Sequence, residues 1–140
     1  MAGYSGTPLL QKLGIKPGHR VMTMEAPVDF DRTLGPLPEG ATFVAASAKN
    51  VDVVVAFEKS AADFQKRLPA LANRIQQDGM IWIGWPKKAS GVKTDMSENI
   101  VRDVALALGL VDIKVCAIDE TWSGLKLVIR KENRVKKAKQ

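Results

Sequence analysis

A basic loop that directly follows an apolar segment carries the residue types best suited to binding a ligand. Residues 80–86 are largely apolar and end in a proline, and the loop behind them contains Lys87, Lys88, Ser90 and Lys93. An apolar segment in mid-chain is typical of a buried strand, and open α/β sheets bind ligands at the carboxyl ends of their strands. We therefore predict a phosphate or carboxylate site here, formed by the lysines and the N–H groups of the next helix.

A second group of polar and aromatic residues is predicted to face this loop. Asp119, Glu120 and Trp122 lie in a short turn before the last strand. Trp122 offers a flat face on which a ring can stack, or alternatively it caps the core. The acidic pair either contributes to the ligand site or neutralises the lysines and holds the two loops together. The predicted ligand-binding residues are Trp85, Lys87, Lys88, Ser90, Lys93, Asp119, Glu120 and Trp122.

Several familiar catalytic chemistries do not fit the sequence. One histidine, His19, and one cysteine, Cys116, cannot supply a zinc site within one chain. His19 precedes the first strand, at the edge opposite the predicted crevice, which also excludes a Ser-His-Asp arrangement. Cys116 lies in an apolar segment and is expected to be a buried, inert thiol without an internal disulfide. No catalytic residue and no metal site is therefore assigned.

Strands and helices alternate along the chain in the order that would position such a loop. The predicted strands are 20–24, 41–46, 51–57, 80–85, 112–118 and 125–130, and the predicted helices are 7–14, 28–34, 61–77 and 95–108. Pro69 predicts a kink in the long helix, and Asp95 with Glu98 is typical of a capping box. The pattern predicts a three-layer, Rossmann-like α/β sandwich whose mostly parallel sheet is closed by a C-terminal antiparallel hairpin.

Length and composition predict one soluble domain with a basic tail. The chain has 140 residues, of which 46% are hydrophobic and 26% charged. We expect residues 1–130 to form the domain and residues 131–140 the tail. No apolar segment approaches the roughly 20 residues of a membrane span, and the start lacks a signal peptide pattern, so we expect a cytoplasmic protein. Residues 130–140 hold six basic residues and one acidic residue, which leaves the remaining chain nearly neutral. The tail is the only feature that suggests nucleic acid.

Four segments resemble a bacterial family of unknown function, the domain of unknown function 3052. They are residues 3–9 (GYSGTPL), 12–16 (KLGIK), 85–91 (WPKKASG) and 119–126 (DETWSGLK). They span most of the chain, and the last two are the most specific. The resemblance implies a fold and supplies no catalytic residues.

The order of elements over residues 51–130 also resembles the carboxyl half of class I S-adenosylmethionine-dependent methyltransferases. Residues 71–85 look like the family's helix that ends at a glycine before an apolar strand, and residues 107–111 like its next helix exit. The resemblance implies a glycine-rich turn after the first strand and an acidic residue after the second. The corresponding residues here, 24–28 (MEAPV) and 45–48 (AASA), contain neither. We therefore predict no cofactor.

These observations favour a non-catalytic Rossmann-like domain that binds a small anionic ligand or a protein partner at the carboxyl edge of its sheet. One alternative is a methyltransferase-like enzyme that acts on a nucleotide-like substrate at the same edge. Another is a nucleic-acid accessory protein that uses the basic tail. Whether the protein is an enzyme, and its oligomeric state, stay open at this point.

Overall fold

The computed structural model describes residues 8–134, which form one six-stranded sheet with helices on both faces. The strands are β1 (Arg20–Met24), β2 (Thr42–Phe43), β3 (Val51–Phe57), β4 (Ile75–Pro86), β5 (Leu110–Ala117) and β6 (Trp122–Ile129). The α-helices are α1 (Leu9–Leu13), α2 (Phe30–Leu34), α3 (Ala61–Ala72) and α4 (Glu98–Ala107). Two short 3₁₀ turns cover Lys88–Ser90 and Lys131–Asn133.

The sheet has the strand order β2-β1-β3-β4-β6-β5. The first four strands in that order pair in parallel, whereas β6 runs antiparallel to both β4 and β5. A mostly parallel sheet closed by a C-terminal antiparallel hairpin was predicted, and it is confirmed. The chain passes from β1 to β2 on one side and later to β3 on the other, so the topological switch point lies between β1 and β3.

Alternating side chains of the central strands divide the core into two layers. Val54 and Ala56 of β3 face α3 and α4, while Val53, Val55 and Phe57 face α1 and α2. All five are buried, as expected for a central strand covered on both faces. The fully buried Trp82 of β4 connects the sheet to α1, because its Nε1–H donates to the carbonyl of Leu13 at 2.9 Å. This is the predicted three-layer sandwich.

The long helix is shorter than its periodicity indicates. Pro69 lies inside α3, and the helix ends three residues later at Ala72. Ile75 was predicted on the helix but begins β4 and pairs with Val51. A β-bulge follows in this pairing, and a Cβ at Gly79 would lie 3.1 Å from the Val51 carbonyl oxygen. The helical spacing of Ile75 was misleading because the same side chain is also buried in a strand.

Two further predictions need correction. The capping box that was assigned to Asp95 and Glu98 is wrong: Ser97 caps α4 by accepting the N–H of Ile100. Asp95 instead accepts the N–H of Ala61 at 2.8 Å, at the start of α3. The second strand is two residues long because residues 44–48 leave the sheet after a single bond from the Val44 N–H to β1.

The ends of the described chain carry little regular structure. Gly14 ends α1 with a φ of 78°, as its sequence position predicts. Thr7, where that helix was predicted to begin, and residues 135–140 of the tail lie outside the described residues. Within residues 8–134, no helix has the length and apolar character that a membrane crossing requires.

Candidate functional site

The carboxyl ends of β1, β3 and β4 meet at one edge of the sheet and surround two neighbouring cavities. We call the one beside the β4 loop the lysine cavity and the one between β1 and β3 the switch-point cavity. Val92 lines both of them, so they adjoin. The edge is the one predicted to bind a ligand, but the sequence indicated one crevice, whereas residues 8–134 form two cavities there.

The lysine cavity has a volume of about 600 Å³. It is lined by Trp85, Pro86, Lys88, Gly91, Val92, Lys93, Thr94, Met96, Ser97 and Glu98. Neither Lys88 nor Lys93 forms an ion pair with any group in residues 8–134. The one carboxylate in the lining, Glu98, is paired with Arg102, whose Nε also contacts Asp112 at 3.0 Å. The two lysines are therefore available to a ligand.

The other residues of the predicted site are distributed around this cavity. Lys87, Ser90, Asp119 and Glu120 line neither cavity. The Ser90 hydroxyl donates to the Lys87 carbonyl at 2.6 Å and accepts the N–H of Val92, which shapes the loop. Ser90 and the Lys87 backbone thus hold the loop that carries Lys88 and Lys93.

Residues 8–134 do not show the alternative arrangement, in which the lysines form ion pairs with the acidic turn. Within residues 8–134, no ion pair joins Lys87, Lys88 or Lys93 to Asp119 or Glu120. Asp119 Oδ1 accepts two backbone N–H groups of its own turn, each at 2.8 Å. The loop and the turn are joined instead by a backbone bond, from the Lys87 N–H to the carbonyl of residue 121 at 2.8 Å.

The switch-point cavity has a volume of about 540 Å³. It is lined by Glu25, Ala26, Pro27, Phe57, Glu58, Lys59, Ser60, Asp63, Arg67, Val92, Thr121 and Trp122. Trp122 is the one predicted site residue in this lining. Its ring packs edge-on against Phe57 with the centroids 5.0 Å apart, and only 8% of the residue is exposed. Trp122 therefore belongs to the core and to a cavity wall at once.

The most unusual group in this cavity is Glu58, which is not among the predicted ligand-binding residues. It directly follows β3 and is 2% exposed. Arg67 Nε lies 2.9 Å from Glu58 Oε2 in an ion pair, and both atoms are buried. Burial raises the pKa of Glu58 above its ordinary value, while the charge of Arg67 acts in the opposite direction. A buried carboxylate that is paired with one arginine thus lies in the wall of the cavity.

One sequence signal points to Glu58 in hindsight. A carboxylate comes directly after seven mostly apolar residues of a central strand, where the chain is still buried. Arg67 follows on α3, four residues or about one helical turn before the buried Leu71, and therefore lies on the same side of the helix. Glutamate is rarely buried without a partner, and the partner is visible only once the helix is placed.

The rim of the switch-point cavity holds a strained backbone position. Glu25, the first residue after β1, has a φ of 55°, a region that L-residues with a side chain adopt at an energetic cost. Pro27 follows two residues later and has no N–H to donate. Such strain often accompanies functional sites.

Comparison with known proteins places the chain in a family. Residues 10–131 match the family described as "Protein of unknown function (DUF3052)". The chain belongs to this family. A search of curated proteins found no match.

Comparison with solved structures shows which fold this chain has. A SAM-dependent methyltransferase from Aquifex aeolicus superposes with a TM-score of 0.64 at 15% identity, covering 86% of this chain and 87% of that one. Magnesium protoporphyrin IX methyltransferase from Synechocystis PCC 6803 gives 0.58 at 11% identity, covering 86% and 77%. A TehB-like SAM-dependent methyltransferase from Corynebacterium glutamicum gives 0.53 at 11%, covering 92% and 91%. This chain therefore has a methyltransferase-like Rossmann fold.

The residues at the ends of β1 and β2 do not fit the usual cradle for S-adenosylmethionine. The turn after β1 contains no glycine, and Pro27 removes one backbone donor. The segment after β2, residues 44–48, contains no carboxylate that could accept ribose hydroxyls. The likeness to methyltransferases is one of fold, and we derive no reaction step from it.

Proposed function

We propose that this protein is a binding domain for a small anionic ligand, which it holds in the lysine cavity. The single observation that carries the proposal is that Lys88 and Lys93 line a cavity without a carboxylate partner in residues 8–134. Two ammonium groups on one loop attract phosphate or carboxylate, and the loop is fixed by the Ser90 bonds.

The start of α4 supports the same proposal. The helix has 10 residues and begins at the cavity, so its first turn and the positive end of its dipole lie at the cavity that the lysines also line. Ser97 satisfies the N–H of Ile100 and leaves the earlier N–H groups free of a side-chain cap. Asp95, which was predicted to cap this helix, accepts the N–H of Ala61 at the start of α3 instead. The N-terminus of α4 and the two lysines therefore both favour a negatively charged ligand.

The three tryptophans make the proposal testable at known places. Trp85 lines the lysine cavity, Trp122 lines the switch-point cavity, and Trp82 is fully buried with its indole N–H bonded to Leu13. Their indole N–H resonances in ¹H–¹⁵N NMR spectra, assigned by single Trp→Phe substitutions, report separately on the two cavities and on the core.

Inorganic phosphate and nucleoside monophosphates are titrated into the full chain. We expect a saturable shift of the Trp85 indole signal, no shift of the Trp82 signal, and at least tenfold weaker binding in the Lys88→Ala, Lys93→Ala double variant. Lys66→Ala is the matched control, since Lys66 is exposed on α3 and lines neither cavity. Equal weakening by the control, or shifts without saturation, would refute a specific anion site.

Related measurements test three other functions. A saturable shift with S-adenosylmethionine in place of phosphate would favour the methyltransferase-like enzyme acting on a nucleotide-like substrate. Nucleic-acid affinity that disappears on removing residues 131–140 would favour the accessory role of the tail. Binding of a protein partner that is weakened by the Lys88 and Lys93 changes would replace the small anion by an acidic protein surface.

A further inference from the structure

We infer that the β5–β6 hairpin, together with the segment after α1, carries a surface that binds the phosphate backbone of a nucleic-acid duplex. Its basic residues are Lys16, Lys114 and Lys126, which we call the hairpin patch. The patch uses neither the lysine cavity nor the basic tail, so the inference is independent of the proposed function.

The register of the sheet places two of these lysines side by side. Lys114 of β5 lies opposite Lys126 of β6, and Lys126 in turn lies opposite Trp82 of β4. Directly opposite residues of antiparallel strands have their side chains on the same face, with Cβ atoms about 5 Å apart. Because the Trp82 side chain bonds to Leu13 of α1, both lysines lie on the face that α1 covers.

Helix α1 leaves the outer strands of this face open and adds further positive charge. The helix has five residues, and Lys12 in its last turn donates to the carbonyl of Ala117 at the end of β5, at 3.2 Å. Lys16 follows shortly after the helix and is exposed, as is Lys114, whereas Lys126 is half-buried. The patch and Lys12 therefore bring four ammonium groups to one corner of the sheet.

This arrangement is unfavourable for the protein by itself. Burial lowers the pKa of Lys126, and the charges of Lys114 and Lys16 lower it further. Like charges directly opposite each other on neighbouring strands destabilise a sheet. Within residues 8–134, none of the three lysines of the patch forms an ion pair. A ligand with several negative charges relieves this repulsion.

Protection of the sheet edge explains only one of the lysines. In residues 8–134, β5 is an edge strand, and a lysine on an edge strand discourages pairing with another sheet. Lys126 lies one strand inside the edge, where it does not serve that purpose. The half-buried ammonium of Lys126 next to Lys114 thus needs another explanation, which a bound polyanion supplies.

The extent of the patch and its lack of aromatic residues favour a nucleic-acid duplex. The lysines extend over β6, β5 and the segment after α1, so a single phosphate group contacts only part of the patch. A nucleic-acid strand offers a phosphate about every 3.4 Å along its axis. Among residues 8–134, the only exposed aromatic side chain is Phe43, on β2 at the opposite end of the sheet. Proteins bind single strands largely by stacking on aromatic side chains, so a duplex held through its backbone fits better.

A short fluorescent DNA duplex of arbitrary sequence is the probe, and its anisotropy measures binding to the full chain at several KCl concentrations. The test variant is Lys114→Gln, Lys126→Gln. The matched control is Lys49→Gln, Lys66→Gln, which removes the same charge from exposed sites outside the patch. Lys66 lies on α3, which packs against the opposite face of the sheet from α1.

We expect the test variant to bind about tenfold more weakly at low salt, and the slope of log K against log salt to become less steep by about 1.8, because each phosphate contact contributes about 0.9. The control should keep the wild-type slope. Equal effects of the two variants would overturn the inference, since they would reflect net charge alone. An unchanged slope in the test variant, or no binding by the wild-type protein, would also overturn it.

Two further measurements complete the test. We expect the test variant to unfold at the same or a higher urea concentration than the wild-type protein, because the substitutions remove charges that repel each other. A lower urea midpoint would contradict the repulsion on which the inference rests. Polyglutamate is the second probe. If it binds more tightly than the DNA duplex and loses affinity in the test variant, the partner is an acidic protein surface and the choice of nucleic acid is wrong.

Discussion

Replacing Arg67 by methionine should destabilise the protein far more than replacing Glu58 by glutamine. Removing one partner of a buried ion pair costs about 3 to 5 kcal/mol, because the remaining charge is left buried without compensation. Since the Arg67 side chain is 25% exposed and Glu58 is 2% exposed, we expect the lower end, about 3 kcal/mol, for Arg67→Met. Glu58→Gln removes the buried charge itself and should cost about 1 kcal/mol.

The double variant separates charge from packing. With the carboxylate gone, Arg67→Met no longer strands a charge, so we expect a coupling free energy of about 2 kcal/mol between the two sites. Urea unfolding of the four proteins, followed by circular dichroism, gives the free energies of unfolding. Equal costs for Arg67→Met alone and in the Glu58→Gln background would refute the reasoning, because they would mean that the arginine acts only through its hydrocarbon stem.

The same cycle has a predicted pH dependence. Because burial raises the pKa of Glu58, the native state binds more protons than the unfolded state above the ordinary value of 4.5. The contribution of Glu58 to stability is therefore lost as the pH rises through its folded pKa. Arg67→Met removes an opposing charge and should cost more at about pH 8 than at about pH 5. A cost independent of pH would contradict this sign.

Three further predictions concern packing and loop structure, and each is measured by the free energy of unfolding. Gly124→Ala would place a Cβ 3.0 Å from Ile118 Cδ1 and should cost about 1 to 3 kcal/mol, with recovery in an Ile118→Val background. Asp119→Ala frees two backbone N–H groups at the turn before Trp122 and should cost about 1 kcal/mol; no change would mean that the turn holds without its carboxylate. Asp95→Ala removes a cap from α3 and should cost about 1 kcal/mol, whereas an unchanged α3 in hydrogen exchange would contradict the capping role.

The fold was accessible from the sequence because its signals are local. The apolar strand 51–57 and the glycines after α1 and α4 each specify one element without help from the rest of the chain. Ile75 was wrongly placed on the helix, because an apolar residue is expected both on the buried face of a helix and in a buried strand. Asp95 was assigned to the wrong helix because a cap can reach an element distant in sequence.

The candidate site was only partly accessible, for a related reason. Lys88 and Lys93 could be named because a basic loop after an apolar strand is a sequence pattern. The pairing of Glu58 with Arg67 could not be predicted, since it depends on how α3 lies against the end of β3. The one predicted crevice corresponds to two cavities, because Lys88 and Lys93 line one of them and Trp122 lines the other.

Because Glu25 has a left-handed backbone conformation, its negative charge at the rim of the cavity can be removed with little effect on the stability of the fold. A left-handed residue with a side chain costs about 1 to 2 kcal/mol, which is similar in size to the conformational entropy that glycine adds to an unfolded chain. Glu25→Gly should therefore leave the protein about as stable while removing the carboxylate, and Glu25→Ala should keep the strain. One carboxylate of the switch-point cavity can thus be removed without rebuilding the core, which changes the charge of the cavity independently of the fold.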